Sequence, residues 1–268
     1  MNESFGTRLR ARLDKFGPLC VGIDPSPDLL AAWGLDDSPA GLERFSRTVV
    51  DAVGDLAAVV KPQSAFFERW GSRGIAVLEQ VLIDLREAGA LVLLDVKRGD
   101  IDTTMAAYAE AYLDQGSPLA ADAITVSPYL GFGSLTGTIT SALANDAAIF
   151  VLARTSNPEA ASLQPLVADQ IVAGATAVNA GHAPFGPVGL VIGATLPSLD
   201  LDLTNLNGPI LAPGLGAQGA TPADVGRLFA QVRHAVIPSI SRAALADPAK
   251  IRTTTMHYRD DCLTHLTP

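Results

Sequence analysis

Cysteine is nearly missing: Cys20 and Cys262 are the only two in 268 residues. Neither belongs to a Cys/His pattern with metal-ligand spacing, so unpaired thiols in a reducing compartment are the expectation. The four histidines (His182, His234, His257, His265) are scattered, and no metal is expected to be bound. Aromatic residues make up only 6% of the chain against 48% hydrophobic residues, so its core has to be aliphatic. Positive charge is also short, with 19 Lys and Arg against 28 Asp and Glu and a net charge of −9. That balance argues against a protein that coats nucleic acid, which needs a broad basic face. It leaves room for one phosphorylated metabolite, held by a few focused cations and backbone N–H groups. No apolar run approaches the roughly 20 residues of a membrane span. Met1 to Lys15 alternates charged and apolar residues without a signal-peptide core. The expectation is a soluble, cytoplasmic protein with neither a membrane nor a nucleic-acid partner.

What is present is one motif repeated: a short β-branched run, then a longer amphipathic stretch. The strand candidates are Leu19–Asp24, Ala57–Lys61, Leu91–Lys97, Ala123–Ser127, Ala148–Arg154, Val188–Gly193, Pro209–Ala212 and His234–Ile240. Helical patterns between them include Leu42–Leu56, Gly74–Ala88, Thr104–Leu113 and Asp224–Val232. Strands alternating with helices build βαβ units on a parallel sheet. Eight units in roughly 250 residues predict a closed (β/α)8 barrel, with a doubly wound open sheet as the alternative. No Gly-, Ser- or Pro-rich linker divides the chain, so residues 1–268 are expected to form a single domain. A barrel gathers its functional side chains where the strands end. Those ends carry Asp24, Lys61, Asp95 with Lys97, Ser127, Ser156, Thr195, Gly214 and Arg242.

The segment Leu94-Asp95-Val96-Lys97-Arg98-Gly99-Asp100-Ile101 is the most informative. Alternation along a strand turns Asp95 and Lys97 to the same face, where each offsets the other's desolvation. Lys61 and Asp100 lie close enough in the pattern to extend the pair into an alternating charge array. Plainer readings exist for each residue. Asp95 and Lys97 suit a structural ion pair, Asp100 or Asp102 suits a cap for a helix near Thr103, and Lys61 suits a solvated strand end. Likewise Ser156 suits a cap for the segment from Pro158, and Gly214–Gly219 suits an ordinary strand-to-helix turn.

The pattern Asp95-x-Lys97-x-x-Asp100-Ile101 resembles the signature of orotidine 5′-phosphate decarboxylases. Lys97-Arg98-Gly99-Asp100-Ile101, followed by Thr104 and Ala107-Tyr108-Ala109, resembles the branch found in mycobacteria and similar bacteria. Further segments run in family order: Gly22-Ile23-Asp24-Pro25, Val60-Lys61-Pro62-Gln63 with Phe66-Phe67-Glu68, Ser127-Pro128-Tyr129-Leu130-Gly131, Thr155-Ser156-Asn157-Pro158, Val191-Ile192-Gly193-Ala194-Thr195 and Pro213-Gly214-Leu215-Gly216-Ala217-Gln218-Gly219. Departures fall at Ser127, where the family usually has Asn, at Gly133, where an acid is frequent, and at Ala220, where a second Gly is usual.

The resemblance implies a (β/α)8 barrel that decarboxylates orotidine 5′-monophosphate to uridine 5′-monophosphate without a cofactor. It implies catalytic roles for Lys97, Asp95, Lys61 and Asp100, with Lys97 protonating a carbanion at C6. Asp24 is then expected at the ribose, Ser156 at the pyrimidine edge, and Gln218, Arg242, Gly214 and Gly216 at the phosphate. Asp100 and Thr104 are expected to reach into a neighbouring subunit's site, making a homodimer with shared sites. Three rivals are kept: a magnesium-dependent sugar-phosphate decarboxylase or aldolase of the same superfamily, a Schiff-base aldolase using Lys97, and a catalytically silent nucleotide-binding barrel.

Overall fold

Each strand pairs in parallel with its neighbours in sequence, and the last pairs with the first, closing an eight-stranded barrel. The structure is a computed structural model that describes residues 3–266. In chain order the elements are α1 (Phe5–Phe16), β1 (Cys20–Ile23), α2 (Pro27–Ala32), α3 (Pro39–Val53), β2 (Val59–Pro62), α4 (Ser64–Glu68) and α5 (Gly71–Glu87). These are followed by β3 (Leu91–Arg98), α6 (Asp102–Leu113), β4 (Ala123–Val126), α7 (Thr136–Ala144), β5 (Ala148–Arg154) and α8 (Ala168–Asn179). The chain finishes with β6 (Val188–Ile192), β7 (Ile210–Pro213), α9 (Pro222–Leu228), β8 (Val236–Ile240) and α10 (Ile251–Leu266). The open-sheet alternative is thereby removed.

All eight strand candidates form, with ends shifted by at most two residues. The eighth starts at Val236 rather than His234, because Arg233–Ala235 turns as a 3₁₀ segment first. The α3 helix begins earlier than its apolar pattern suggests. Ser38 caps it by accepting from the Gly41 N–H, and Pro39 occupies the first turn, where its missing N–H costs nothing. The α9 helix starts the same way, with Thr221 and Asp224 closing a capping box around Pro222.

Period-two alternation sorts the strand residues into two cores. Outward residues such as Val60, Val92, Leu94, Ile124, Ile149, Val151 and Leu190 pack against the ring of helices. Inward residues Cys20, Val59, Leu91, Leu93, Ala123, Ala148, Phe150, Val191, Leu211 and Ile237 fill the barrel. Helix α1 belongs to the inner core: Phe5, Leu9 and Leu13, spaced one turn apart, close the end where the strands begin. Phe5 meets Phe150 edge to face, with ring centroids 6.2 Å apart. The bottom of the barrel is thus packed with apolar side chains, and any cavity has to lie at the opposite end.

Candidate active site

Followed upward, the inward series changes character. Cys20 and Gly22 lead to Asp24; Val59 leads to Lys61 and Gln63; Leu91 and Leu93 lead to Asp95 and Lys97. Ala123 leads to Thr125, Phe150 and Leu152 to Arg154, and Ile237 to Ser239 and Ser241. These upper residues line a cavity of about 260 Å³ at the carboxyl ends of the strands. It is small for a ligand site, near the lower end of the usual range.

Asp95 is the centre of the polar cluster. Its Oδ2 accepts from Lys61 Nζ at 2.9 Å and from Gln63 Nε2 at 2.9 Å. Its Oδ1 accepts from Lys97 Nζ at 2.6 Å and from Thr125 Oγ1 at 2.8 Å. Two donors on each oxygen offset the loss of water that a buried carboxylate suffers. Burial works against the Asp95 charge, but Lys61 and Lys97 outweigh it and hold the carboxyl well below its ordinary range. Burial likewise opposes the Lys61 ammonium, and Asp95 with Asp24 outweighs that and raises it. The Lys61 and Asp95 side chains are each 7% exposed, whereas Lys97 is 46% exposed and faces the cavity. One buried pair therefore carries a second ammonium at the edge of open space.

Lys97 does not reach Asp95 by regular alternation. Its φ is 44°, a left-handed conformation uncommon outside glycine, and the β3–β4 register shifts between Leu94 and Arg98. The bulge aims Lys97 into the cavity, so the same-face expectation is met through a different backbone. Thr125 supports this turn, since its Oγ1 also accepts from the Lys97 N–H at 2.9 Å.

Asp24, Ser156, Gly214, Gln218 and Arg242 all line the same cavity. Asp24 Oδ1 is buried and has no hydrogen-bond partner among the described residues. Gly214 has a φ of 127°, closed to other residues, and an added Cβ would come within 3.2 Å of Thr195 Cγ2. Ser156 is not a cap, since Asn157 holds that place before a short 3₁₀ segment. Gly216 stands apart from the cavity wall. A Cβ there would lie 2.7 Å from that of Ala243 and 3.1 Å from the Tyr258 hydroxyl, and the φ of 74° is left-handed, so close packing and backbone conformation both call for glycine. Asp100 and Thr104 also lie outside the cavity of their own chain. Among the described residues, the Asp100 carboxylate accepts only from the adjacent Ile101 N–H, at 2.8 Å, and α6 starts without a side-chain cap, which removes the capping reading.

Gln63, Thr125, Arg154 and Ser241 also line the cavity, and the sequence reading does not single them out. Gln63 and Arg154 sit at strand ends on the inward series, where period-two alternation is a signal that could have found them. Thr125 reads as an ordinary strand former until the β3–β4 pairing places it against Asp95. Among the described residues, no group of three or more His, Cys, Asp or Glu is gathered as a metal site, and no helix is long and apolar enough to cross a membrane.

The profile of the orotidine 5′-phosphate decarboxylase / HUMPS family matches residues 17–252. An orotidine 5′-phosphate decarboxylase of Salinispora arenicola is 55% identical over 99% of both chains. One of Streptomyces coelicolor is 54% identical over the same shares. Among solved structures, OMP decarboxylase of Leishmania donovani superposes with a TM-score of 0.79 at 30% identity, covering 99% of each chain. A Streptomyces avermitilis crystal structure assigned as orotidine 5′-phosphate decarboxylase reaches a TM-score of 0.96 at 52% identity, covering 100% of this chain and 97% of that one. The barrel, the cluster at its open end and these end-to-end matches agree: this chain belongs to the orotidine 5′-phosphate decarboxylase / HUMPS family.

Proposed function

We propose that the protein removes carbon dioxide from orotidine 5′-phosphate, giving uridine 5′-phosphate in pyrimidine biosynthesis. The observation that carries this reading is the buried Asp95–Lys61 pair with Lys97 beside it at the cavity edge, in a chain 55% identical, end to end, to a decarboxylase of that name.

The reaction breaks the C6–carboxylate bond and leaves its electron pair on C6, which then takes a proton. Lys97 supplies that proton from its ammonium, and its charge stabilises the developing carbanion. The amine recovers a proton from water. Asp95 keeps the ammonium aimed and, near the substrate carboxylate, favours its departure as carbon dioxide. Lys61 and Asp24 hold the ribose hydroxyls, an assignment that suits the unpartnered oxygen of Asp24. Ser156 reads the pyrimidine edge. Arg242 and Gln218 bind the phosphate beside Gly214, at the loops after β7 and β8 where barrels often hold this group. Gly216 shapes that loop.

Asp100 and Thr104 complete the site of a second subunit, so the active form is a homodimer. Their position outside their own cavity supports this, as do the exposed apolar Ile101 next to Asp100 and the exposed Tyr129 and Leu130 after the neighbouring strand β4. A single domain in the cytoplasm, with its two buried thiols unpaired, completes the reading.

The test is to incubate the protein with orotidine 5′-phosphate and excess EDTA and follow the loss of orotate absorbance. Turnover is expected. No turnover with or without magnesium overturns the reading, and turnover of a sugar phosphate that requires magnesium assigns the chain to the other branch of its family.

A further inference from the structure

We propose that Arg98 is a positioning residue for catalysis, fixing the left-handed turn that aims Lys97. The inference rests on the decarboxylase reading above and adds a residue that touches neither the cavity nor the reacting atoms.

The Val96–Lys97 peptide is gripped at both ends. Its N–H donates to Thr125 Oγ1 at 2.9 Å, and its carbonyl accepts from Arg98 Nη1 at 3.0 Å. The carbonyl and N–H of a trans peptide point in opposite directions, so two partners on opposite sides fix its plane. That plane sets the φ of Lys97, and so the direction of its side chain. A left-handed lysine persists only where its surroundings over-determine it, and Arg98 and Thr125 are the groups that do so here.

Arg98 is itself anchored at its far end. Its Nη2 donates to Glu68 Oε1 at 2.5 Å and to the Tyr112 hydroxyl at 3.0 Å. Its guanidinium lies 5.5 Å from the Tyr108 ring centre and 5.7 Å from that of Tyr112, two rings stacked on each other. Glu68 is held in turn by the Ser64 hydroxyl. The clamp therefore ties the bulge to α4 on one side and α6 on the other. A lysine in its place has no planar fork and cannot hold the Val96 carbonyl and Glu68 together.

The experiment compares wild type, Arg98→Met, Arg98→Lys, Glu68→Ala and Glu68→Gln in steady-state decarboxylation, with urea unfolding in parallel. Arg98→Met is expected to lower kcat about thirtyfold or more while KM stays within about threefold, because ligand contacts are kept and the proton donor is mis-aimed. Arg98→Lys is expected to restore part of that loss. Glu68→Gln keeps an acceptor for the guanidinium and is expected to stay close to wild type, whereas Glu68→Ala loses roughly tenfold in kcat. An Arg98→Met protein within about threefold of wild type in kcat overturns the proposal, as does a kcat loss matched by an equal rise in KM. If Arg98→Met does not fold, the two Glu68 variants decide the matter through the same guanidinium, and equal kcat values for them count against it. Absence of wild-type turnover would instead overturn the decarboxylase reading.

Discussion

At the scale of single residues, the site separates a sealed ammonium from one that borders open space. Lys61 is sealed against Asp95, whereas Lys97 shares the same carboxylate but borders the cavity. Lys97→Ala is therefore expected to abolish turnover yet leave the fold intact, because Lys61 still balances Asp95. Circular dichroism with a decarboxylation assay checks this; more than about a tenth of wild-type activity, a barrier change below ~1.4 kcal/mol, rules out the proton-donor role. The same cluster sets a pH dependence. The Asp95 carboxyl is held below its ordinary range, so on acidification the unfolded chain takes up its proton first. The stabilisation is present above a pH of about 4 and lost as pH falls toward the folded value. Lys61 is raised, so its share is present up to about pH 10 and lost above that. Urea unfolding between pH 3 and 5 is expected to show a steeper acid loss for wild type than for Asp95→Asn; parallel curves would mean that the pair does not act this way. Arg242 lines the cavity beside the Gly214 loop. Its replacement by Ala is expected to weaken uridine 5′-phosphate binding by roughly 1.5–3 kcal/mol and leave uridine binding little changed. Equal weakening of both ligands in calorimetry would take Arg242 away from the phosphate.

At the scale of elements, stability and chemistry occupy opposite ends of the same strands. Leu9 in α1 is fully buried in the inner core, far along the barrel from Lys97. Leu9→Ala is expected to cost roughly 2–5 kcal/mol in unfolding free energy and leave kcat and KM of the folded fraction unchanged. A clear change in KM would mean that the plug and the site are coupled. This division also explains what is legible in the sequence. Buried parallel strands are near-continuous aliphatic runs, so all eight stand out from residue pattern alone. Their polar ends stand out too, since a charge closing such a run is conspicuous. The bulge at Lys97 is hidden, because period-two reasoning assumes a regular pleat and happens to give the same side. Thr125 and Arg98 are hidden for a related reason. What Thr125 meets depends on the β3–β4 register, and Arg98 turns back on the Val96 carbonyl two residues earlier, a contact that residue type alone does not announce. Helix α1 is masked by its arginines, Arg8, Arg10 and Arg12, whose charges obscure the spacing of Phe5, Leu9 and Leu13.

At the scale of the whole molecule, one chain places three members of the proposed catalytic set in its own cavity and the fourth outside it. Lys61, Asp95 and Lys97 line the cavity, but Asp100 does not. Asp100 is followed by the exposed Ile101 and by the exposed start of α6, which includes Thr104. If that surface meets a second copy, each site draws Lys97 from one subunit and Asp100 from the other. Mixing Asp100→Ala protein with Lys97→Ala protein then creates heterodimers with one site lacking both residues and one site intact. Under random exchange about half the dimers are mixed and half their sites are whole, so activity is expected to recover to about a quarter of wild type. Each parent alone should contribute almost nothing. If Asp100 serves its own chain, every site in every dimer keeps one lesion, and the mixture stays as inactive as its parents. Native mass spectrometry of the mixture establishes that subunits have exchanged, so an inactive mixture with heterodimers present would remove Asp100 from the shared site.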